Sequence, residues 1–340
     1  MTSAVDLRSD TVTRPTAAMR EAGLRAEVGD DVMGDDPSVN ALQARLASDL
    51  GFEAGLFLPS GTQSNLAALM AHCERGDEYL VGMDAHTYKY EGGGAAVLGS
   101  IQPQAIVQAE DGTLPLEKLA SAVKPLGDPH FARTRLLALE NTWQGRALPL
   151  AYLPEAAAFA RSRGLVHHLD GARLFNAAVA SGVAAREITR HFDSVSVCLS
   201  KGLGAPAGSV LVGSVEVIAK ARRWRKVLGG GWRQAGLLAA MASHALDHHV
   251  ERLADDHRRA RELADALREL PGVDVETPQT NLVFITVPAD ATPALASHLQ
   301  ARGVLIAGSG PRLRLVTHLD IDDAGLARAI AAFNAFFAAR

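Results

Sequence analysis

The chain has 340 residues, with 34 Lys and Arg against 38 Asp and Glu, a formal charge of −4, 48% hydrophobic residues and 21% charged residues. That balance excludes disorder as the main state, because the apolar content is high and the net charge small. It also disfavours a protein that coats DNA or a membrane surface, since no global positive charge exists to neutralise phosphates.

Roughly 150 residues per domain gives about two domains as a starting expectation. Cys73 and Cys198, the two cysteines, cannot build a disulfide scaffold and point to a reducing compartment. The N-terminus, Met1-Thr2-Ser3-Ala4-Val5-Asp6-Leu7-Arg8, has no apolar h-region. The longest apolar stretch, around Ala235 to Leu246, is interrupted by Ser243 and His244. It falls short of the ~20 apolar residues a membrane span needs. The expectation is a soluble cytoplasmic protein. The 31 glycines are a modest excess, too few for low complexity, so their positions matter.

In chain order, Asp36-Pro37 opens a helix, with Asp as cap and Pro in the first turn. Val39, Leu42, Leu46 and Leu50 then share one face. The apolar run Leu56 to Leu58 predicts a strand, followed by the turn Pro59-Ser60-Gly61-Thr62 and a helix from Gln63 to Cys73. Further strands are predicted at Tyr79–Val81, Ala105–Val107, Leu136–Leu139, Leu165–Leu169, Ser194–Leu199 and Val210–Val212. Helical patterns lie between most of them, including Leu116 to Val123 and Pro154 to Arg163. Apolar strands alternating with helices indicate an α/β fold with a mainly parallel sheet. From about residue 233 the pattern changes. Long helices are predicted over Arg233–His248 and Val250–Leu270, strands over Leu282–Thr286, Val304–Ala307 and Leu313–Val316, and helices over Pro293–Arg302 and Asp322–Ala338. The expected division is a large α/β domain over 1–245 and a smaller α+β domain over 246–340.

Five segments carry candidate chemistry. Lys201 follows an apolar strand and precedes Gly202-Leu203-Gly204. A lysine held there can form a Schiff base with a carbonyl cofactor, although an exposed strand-end lysine is the commoner case. Asp170, at the end of a strand in His168-Leu169-Asp170-Gly171-Ala172-Arg173, can hold a protonated pyridine nitrogen or simply cap the next helix. Ser60, Gly61 and Thr62 offer N–H groups and hydroxyls at a helix start, an anion site. Neither a Gly-x-Gly-x-x-Gly nor a P-loop accompanies them, so dinucleotide and triphosphate readings are weak. His86 follows a strand and precedes Gly92-Gly93-Gly94, where it can stack on a ring or carry protons. His130 shares that chemistry but has no stronger signal. The basic run Lys220 to Lys226 suits a small anion or solvent better than nucleic acid, given the overall charge.

With these segments in this order, the sequence resembles the low-specificity L-threonine aldolases, pyridoxal phosphate (PLP) enzymes of the aspartate aminotransferase-like fold. The resemblance covers nearly the whole chain. It is carried by Asp6-Leu7-Arg8-Ser9-Asp10-Thr11-Val12-Thr13, Val28-Gly29-Asp30-Asp31-Val32, Gly34-Asp35-Asp36-Pro37, Asp170-Gly171-Ala172-Arg173, Leu199-Ser200-Lys201-Gly202-Leu203-Gly204 and Arg314-Leu315-Val316-Thr317-His318. It implies that Lys201 carries PLP, Asp170 pairs with the pyridine nitrogen, and Arg173 lies beside the ring. It also implies that His86 stacks on the ring and that Ser60, Gly61 and Thr62 bind the phosphate. Lys226 and Arg233 are implied to reach a neighbour's phosphate across a subunit interface, in a tetramer built from dimers. Ser9, Arg173 and Arg314 would hold the substrate carboxylate, and His130 would sit near the substrate side chain. No metal ligand is assigned.

The implied reaction is cleavage of a β-hydroxy amino acid to glycine and an aldehyde, with His86 or His130 as the base, directly or through water. Other PLP reactions, β-elimination or transamination, use the same scaffold. A non-catalytic PLP- or amino-acid-binding module is the alternative from another class. Trp143-Gln144 replaces the His-Asn expected in many members, which bears on the shape of the side-chain pocket. The segment Asp84 to Tyr90 is also more polar than the family pattern.

Overall fold

The computed structural model describes residues 4–338; the first three residues of the N-terminal segment lie outside them. Seven strands form the central sheet, in the spatial order Ala54–Leu58, Ser209–Gly213, Ser194–Cys198, Val166–Gly171, Arg133–Glu140, Asp77–Gly82 and Gln102–Ile106. Six of them coincide with apolar runs in the sequence; the edge strand Gln102–Ile106 shares only Ala105 and Ile106 with the run predicted at Ala105–Val107. Ser209–Gly213 opposes both of its neighbours. The other described pairings in this sheet are parallel. Asp77–Gly82, Ser194–Cys198 and Ser209–Gly213 are buried at every position, as strands covered by helices on both faces must be.

The helix Pro37–Leu50 forms for the reasons its sequence gives. Asp36 Oδ1 accepts from Val39 N at 3.0 Å, Pro37 sits in the first turn, and Gly51 ends the helix with a left-handed φ of 81°. Val39, Leu42, Leu46 and Leu50 are all buried; each large apolar side chain so placed contributes about 1.5–3 kcal/mol. The helix Gly61–His72 starts two residues before the predicted boundary, because Ser60 Oγ accepts from Gln63 N at 3.2 Å and fixes the cap there. Every residue from Ser64 to Ala71 is buried, so this helix lies against the sheet rather than on the surface.

The predicted helix at Arg233 begins instead at Gly236, where the other oxygen of Asp36, Oδ2, accepts from Gly236 N at 2.8 Å. One carboxylate therefore starts two helices. The next helix is Leu253–Arg268. Its start packs on the main core through Leu253, and Ala260, Leu263 and Leu267 belong to a second core. That second core lies under the antiparallel strands Arg312–Val316, Leu282–Thr286 and Asp274–Val275 and the helices Thr292–Ala301 and Asp323–Phe337. Val5 and Leu7 join it. The strand predicted over Val304–Ala307 is Val304–Leu305, which pairs in parallel with Val5–Asp6, while Ala307 makes a single antiparallel bridge to Arg314. The N-terminal segment is thereby tied to the C-terminal layer. Cys73 and Cys198 are free and buried. No helix among the described residues is long and apolar enough to cross a membrane.

Candidate active site

Parallel strands put their C-terminal ends at one edge, and loops leaving that edge carry the candidate residues. Glu140, the last residue of its strand, lies opposite Asp170, the next-to-last of the adjacent one, and Asp170 lies opposite Ser196 in the strand beyond. Lys201 follows Cys198 by a short turn at the same edge. Ser60 leaves the end of Ala54–Leu58, and His86 starts a short helix after Asp77–Gly82.

Asp170 is buried. Its Oδ1 accepts from Ala172 N at 3.0 Å and its Oδ2 from Asn65 Nδ2 at 2.9 Å. It does not cap the following helix, Leu174–Ser181, whose cap position is Arg173. Asn65 Nδ2 also donates to Glu91 Oε1 at 2.9 Å, and that oxygen pairs with His86 Nδ1 at 2.8 Å. His86 N donates to Glu140 Oε2 at 2.7 Å. The hydrogen bond to Glu91 raises the basicity of His86; burial opposes this and the Asp170 charge reinforces it. Burial pushes the Glu91 carboxyl up, and Asp170 adds to the shift against the hydrogen bonds from His86 and Asn65. Glu140 is pushed up to about 7, first by burial and then by Asp170, against the His86 N–H and the Lys201 charge. A carboxyl group and a histidine driven toward neutral pH at one strand edge are what proton transfer requires. The ligand atoms of His86, Glu91 and Asp170 lie within 4.8 Å of one another, a spacing their mutual bonds and Asn65 already explain.

The N-terminal segment closes the site from the second core. Thr13 Oγ1 donates to the Lys201 carbonyl at 3.2 Å. Asp10, fully buried, receives two hydrogen bonds from Arg173, Nε at 2.8 Å and Nη2 at 2.7 Å, and one from Asn281 Nδ2 at 3.2 Å. Burial alone would raise the Asp10 carboxyl, but Arg173, Lys201 and Asn281 hold it far below the usual carboxylate range. The forked edge of Arg173 is thus engaged, leaving Nη1 for a ligand. Arg314 makes no ion pair among the described residues, and its guanidinium feels burial, the like charge of Arg173, and Asp10 and Tyr90. Two guanidinium groups against one carboxylate leave a net positive receptor for a carboxylate. Ser9 Oγ caps the turn Asp10–Val12, accepting from Thr11 N at 3.2 Å.

At the phosphate turn, Ser60 Oγ serves Gln63 N and Ser60 O serves Ser64 N. No described hydrogen bond uses the N–H of Gly61 or Thr62. A Cβ on Gly61 would meet only Ser209 Oγ, at 3.6 Å. Gln63 Nε2 donates to the Leu228 carbonyl at 3.2 Å, so the loop after the basic helix Val215–Val227 lies beside this turn. Lys226 and Arg233 are exposed, and Arg233 Nη1 pairs with Asp30 Oδ2 at 2.8 Å. Arg225 departs from the expectation that the basic run faces a small anion or solvent. It is buried, pairs with Asp31 at 2.9 Å and donates to the Phe57 carbonyl at 2.7 Å. Asp31 therefore anchors the basic helix, and Asp30 holds Arg233 in the loop after it.

His130 lies elsewhere in the protomer. It sits in the loop before Arg133–Glu140, at the opposite end of that strand from Glu140, with its side chain 85% exposed and Nδ1 on Asp128 at 2.7 Å. An eight-residue strand spans about 25 Å, so one protomer does not bring His130 to Lys201. The glycine excess also divides. Gly93 has a φ of 69° with nothing within 4 Å of a built Cβ, so it serves a turn. Gly208 has a φ of 100°, and a Cβ there would lie 2.3 Å from the Phe57 ring. Gly171 is crowded by Ser196 O at 2.9 Å. Trp143 borders a small cavity with Glu140, and Gln144 Oε1 accepts from Arg312 Nη2 at 3.1 Å.

A lysine, a buried carboxylate, an anion turn and a guanidinium pair at the edge of a mainly parallel sheet define a class of α/β enzymes that work on a carbonyl cofactor. The family model of the beta-eliminating lyases matches residues 6–290, and the chain belongs to that family. Within it the chain groups with the low-specificity L-threonine aldolases. It is 56% identical over 334 residues to the low specificity L-threonine aldolase of Escherichia coli (strain K12), covering 98% of this chain and 99% of that one. It is 44% identical over 344 residues to the probable low-specificity L-threonine aldolase 2 of Arabidopsis thaliana, covering 98% and 97%. In fold it is similar to the threonine aldolase of Leishmania major, with a TM-score of 0.82, 18% identity, and 98% and 99% of the chains covered. A putative L-allo-threonine aldolase of Listeria monocytogenes gives a TM-score of 0.81 at 21% identity, with 98% and 96% covered.

The family is one of PLP enzymes, and the residues present fit that group. The free N–H groups of Gly61 and Thr62 suit a phosphate, and Asp170 retains acceptor capacity beyond its two hydrogen bonds. Sequence reading assigned no role to Asp10, Asn65, Glu91, Glu140 or Asn281. Asp10 stood inside a segment already singled out, but side chains that meet partners 54 residues away, as Glu140 meets His86, or 271 away, as Asp10 meets Asn281, leave no local signal.

Proposed function

We propose that the protein cleaves β-hydroxy-α-amino acids, L-threonine and L-allo-threonine among them, to glycine and an aldehyde such as acetaldehyde. The observation that carries this reading is the meeting of Lys201, Asp170, the free Gly61 and Thr62 N–H groups, and the Arg173–Arg314 pair at one sheet edge. PLP, when bound, supplies an electron sink for the pair released when a bond at the substrate Cα breaks. Lys201 is the amine that attaches it, Asp170 pairs with its ring nitrogen, and His86 stands at its ring. Ser60, Gly61 and Thr62 take the phosphate.

Arg314 and the remaining Nη1 of Arg173, with Ser9, orient the substrate by its carboxylate. His86 is the base within the protomer. Its Nδ1 is held by Glu91, so Nε2 is the nitrogen that takes the β-hydroxyl proton while Nδ1–H steadies the resulting charge on Glu91. His130, Lys226 and Arg233 act from a second copy in this reading, which fits their exposure and calls for at least a dimer; the assembly proposed is a cytoplasmic homotetramer built from such dimers. The large α/β domain spans 1–245 and the smaller domain 246–340, with the first strand reaching across to the latter.

The test is the purified protein with PLP and L-threonine, L-allo-threonine or phenylserine, assayed for glycine and aldehyde. Lys201→Ala is expected to abolish turnover and the visible absorbance of bound cofactor. A keto acid product, with or without ammonia, would replace this reading with transamination or β-elimination. Normal turnover by Lys201→Ala would overturn it.

A further inference from the structure

A helix packed on a sheet normally presents apolar side chains to it, yet here the contact carries a seam of polar ones. On the helix Gly61–His72, Asn65 and His72 are seven residues apart and so lie on one face. On the sheet, His168 lies opposite Ser194 and Asp170 opposite Ser196, in adjacent strands and on one face. His72 Nε2 meets Ser194 Oγ at 2.8 Å, and the same oxygen meets His168 Nδ1 at 2.8 Å. His168 Nε2 faces Asn65 Oδ1 at 3.5 Å, and Asn65 Nδ2 donates to Asp170 Oδ2 at 2.9 Å. Asn65, His168, Asp170 and Ser194 are all buried. The far end, His72, lines a cavity of about 570 Å³ together with Arg135, Lys220 and Trp224.

The donor directions along this chain follow from its ends. A carboxylate accepts only, so Asn65 turns its NH₂ to Asp170 and its Oδ1 to His168. His168 must then carry its proton on Nε2, which leaves Nδ1 as an acceptor if the ring is neutral. Burial favours the neutral form of both rings, lowering His168 to about 3 and His72 to about 4, and the Arg135 and Lys220 charges add to the shift of His72. The Ser194 hydroxyl therefore donates to His168, and its oxygen accepts from His72 Nε2–H. Every donor points toward Asp170, so the bond dipoles add rather than cancel.

We propose that His72, Ser194, His168 and Asn65 form a unidirectional hydrogen-bond chain that ends on Asp170 Oδ2 and fixes the orientation of that carboxylate. They are positioning residues: none touches the substrate, and they act through Asp170 on the cofactor ring nitrogen. The proposal rests on the PLP reading above for its consequence, but not for its hydrogen-bond directions.

Two measurements test it separately. In cofactor-free protein labelled with ¹⁵N-histidine, His72 and His168, identified by loss of signal in His72→Gln and His168→Gln, are expected to be neutral with the proton on Nε2. A charged ring, or a proton on Nδ1 of either, overturns the chain. In the loaded enzyme, Ser194→Ala is expected to weaken PLP binding about five- to ten-fold and to lower kcat by a similar factor, as loss of about one hydrogen bond would. KM should stay within about two-fold, because the carboxylate receptor is untouched, and Ser194→Thr, which keeps the hydroxyl, should restore both values. Wild-type cofactor affinity in Ser194→Ala overturns the proposal. A wild-type protein that fails to take up PLP overturns the functional reading instead, and the tautomer measurement still decides the chain.

Discussion

Replacing Asp10 with Asn removes the negative half of a buried pair and leaves its shape nearly intact. Asp10 is fully buried and the Arg173 side chain is 12% exposed, so the guanidinium left behind has little water to turn to. Breaking such a pair costs about 3–5 kcal/mol. Asn keeps one acceptor, so the lower end, about 3 kcal/mol, is expected. At ~2.1 cal/mol/K per residue, that lowers the melting temperature by about 4 °C in a chain of this length. The exposed pair Arg25–Glu21, with side chains 78% and 50% exposed, has a comparable separation of 2.6 Å, yet Glu21→Gln should cost no more than about 0.5 kcal/mol.

The pH dependence separates charge from shape. Asp10 is depressed in the folded state. Its stabilisation is therefore fully present above the unfolded carboxyl value of 3.8 and is lost as pH falls through the folded value. The gap between wild type and Asp10→Asn should stay flat from about pH 5 to 8 and narrow below about pH 4. Thermal unfolding of the cofactor-free proteins across that range reads both effects, and KM for L-threonine should rise about ten-fold as Arg173 loses its brace. Equal melting temperatures for Asp10→Asn and Glu21→Gln would refute the argument.

Arg314→Gln is expected to raise KM for L-threonine by about ten- to a hundred-fold with a smaller loss of kcat, read by steady-state kinetics, because it removes a charged partner of the substrate carboxylate. Glu140→Gln should change the pH dependence of stability. The raised pKa of Glu140 means its stabilisation is fully present below 4.5 and is lost as pH rises through about 7. Relative to wild type, the variant should therefore gain up to about 3 kcal/mol between about pH 4.5 and 8 in urea titrations, since Gln keeps the acceptor for His86 N. Gly208→Ala combines a φ of 100° with a Cβ placed 2.3 Å from Phe57, so it should destabilise by about 3 kcal/mol or more in thermal unfolding.

The apolar runs and their spacing located the six inner and flanking strands of the sheet and the main helices, because a strand buried on both faces must be largely apolar whatever it packs on, whereas the edge strand Gln102–Ile106, mostly polar and partly exposed, overlaps its predicted run only at Ala105 and Ile106. The same reading singled out Lys201, Asp170, Ser60, Gly61, Thr62 and His86, since each sits just past a strand end, where a parallel sheet gathers its loops. It assigned Gly61 to the phosphate turn, and the surroundings of Gly61 are open; what Gly93 and Gly208 do, one making a turn and the other avoiding Phe57, needed the folded backbone. It read the run Lys220 to Lys226 as facing a small anion or solvent, whereas Asp31 draws Arg225 inside.

The sequence by itself determined the element types, the sheet and the residues that bear on the chemistry, because propensity, capping and periodicity act over a few residues. Only the tertiary structure decided that Asp10 locks Arg173, that Val5 pairs with Val304, that Asn65 joins Asp170 to His86 through Glu91, and that His130 stands at the far end of its strand. Those relations join residues far apart in the chain. Burial and strand direction, which set the strength and partners of each charge, exist only once the sheet has closed around them.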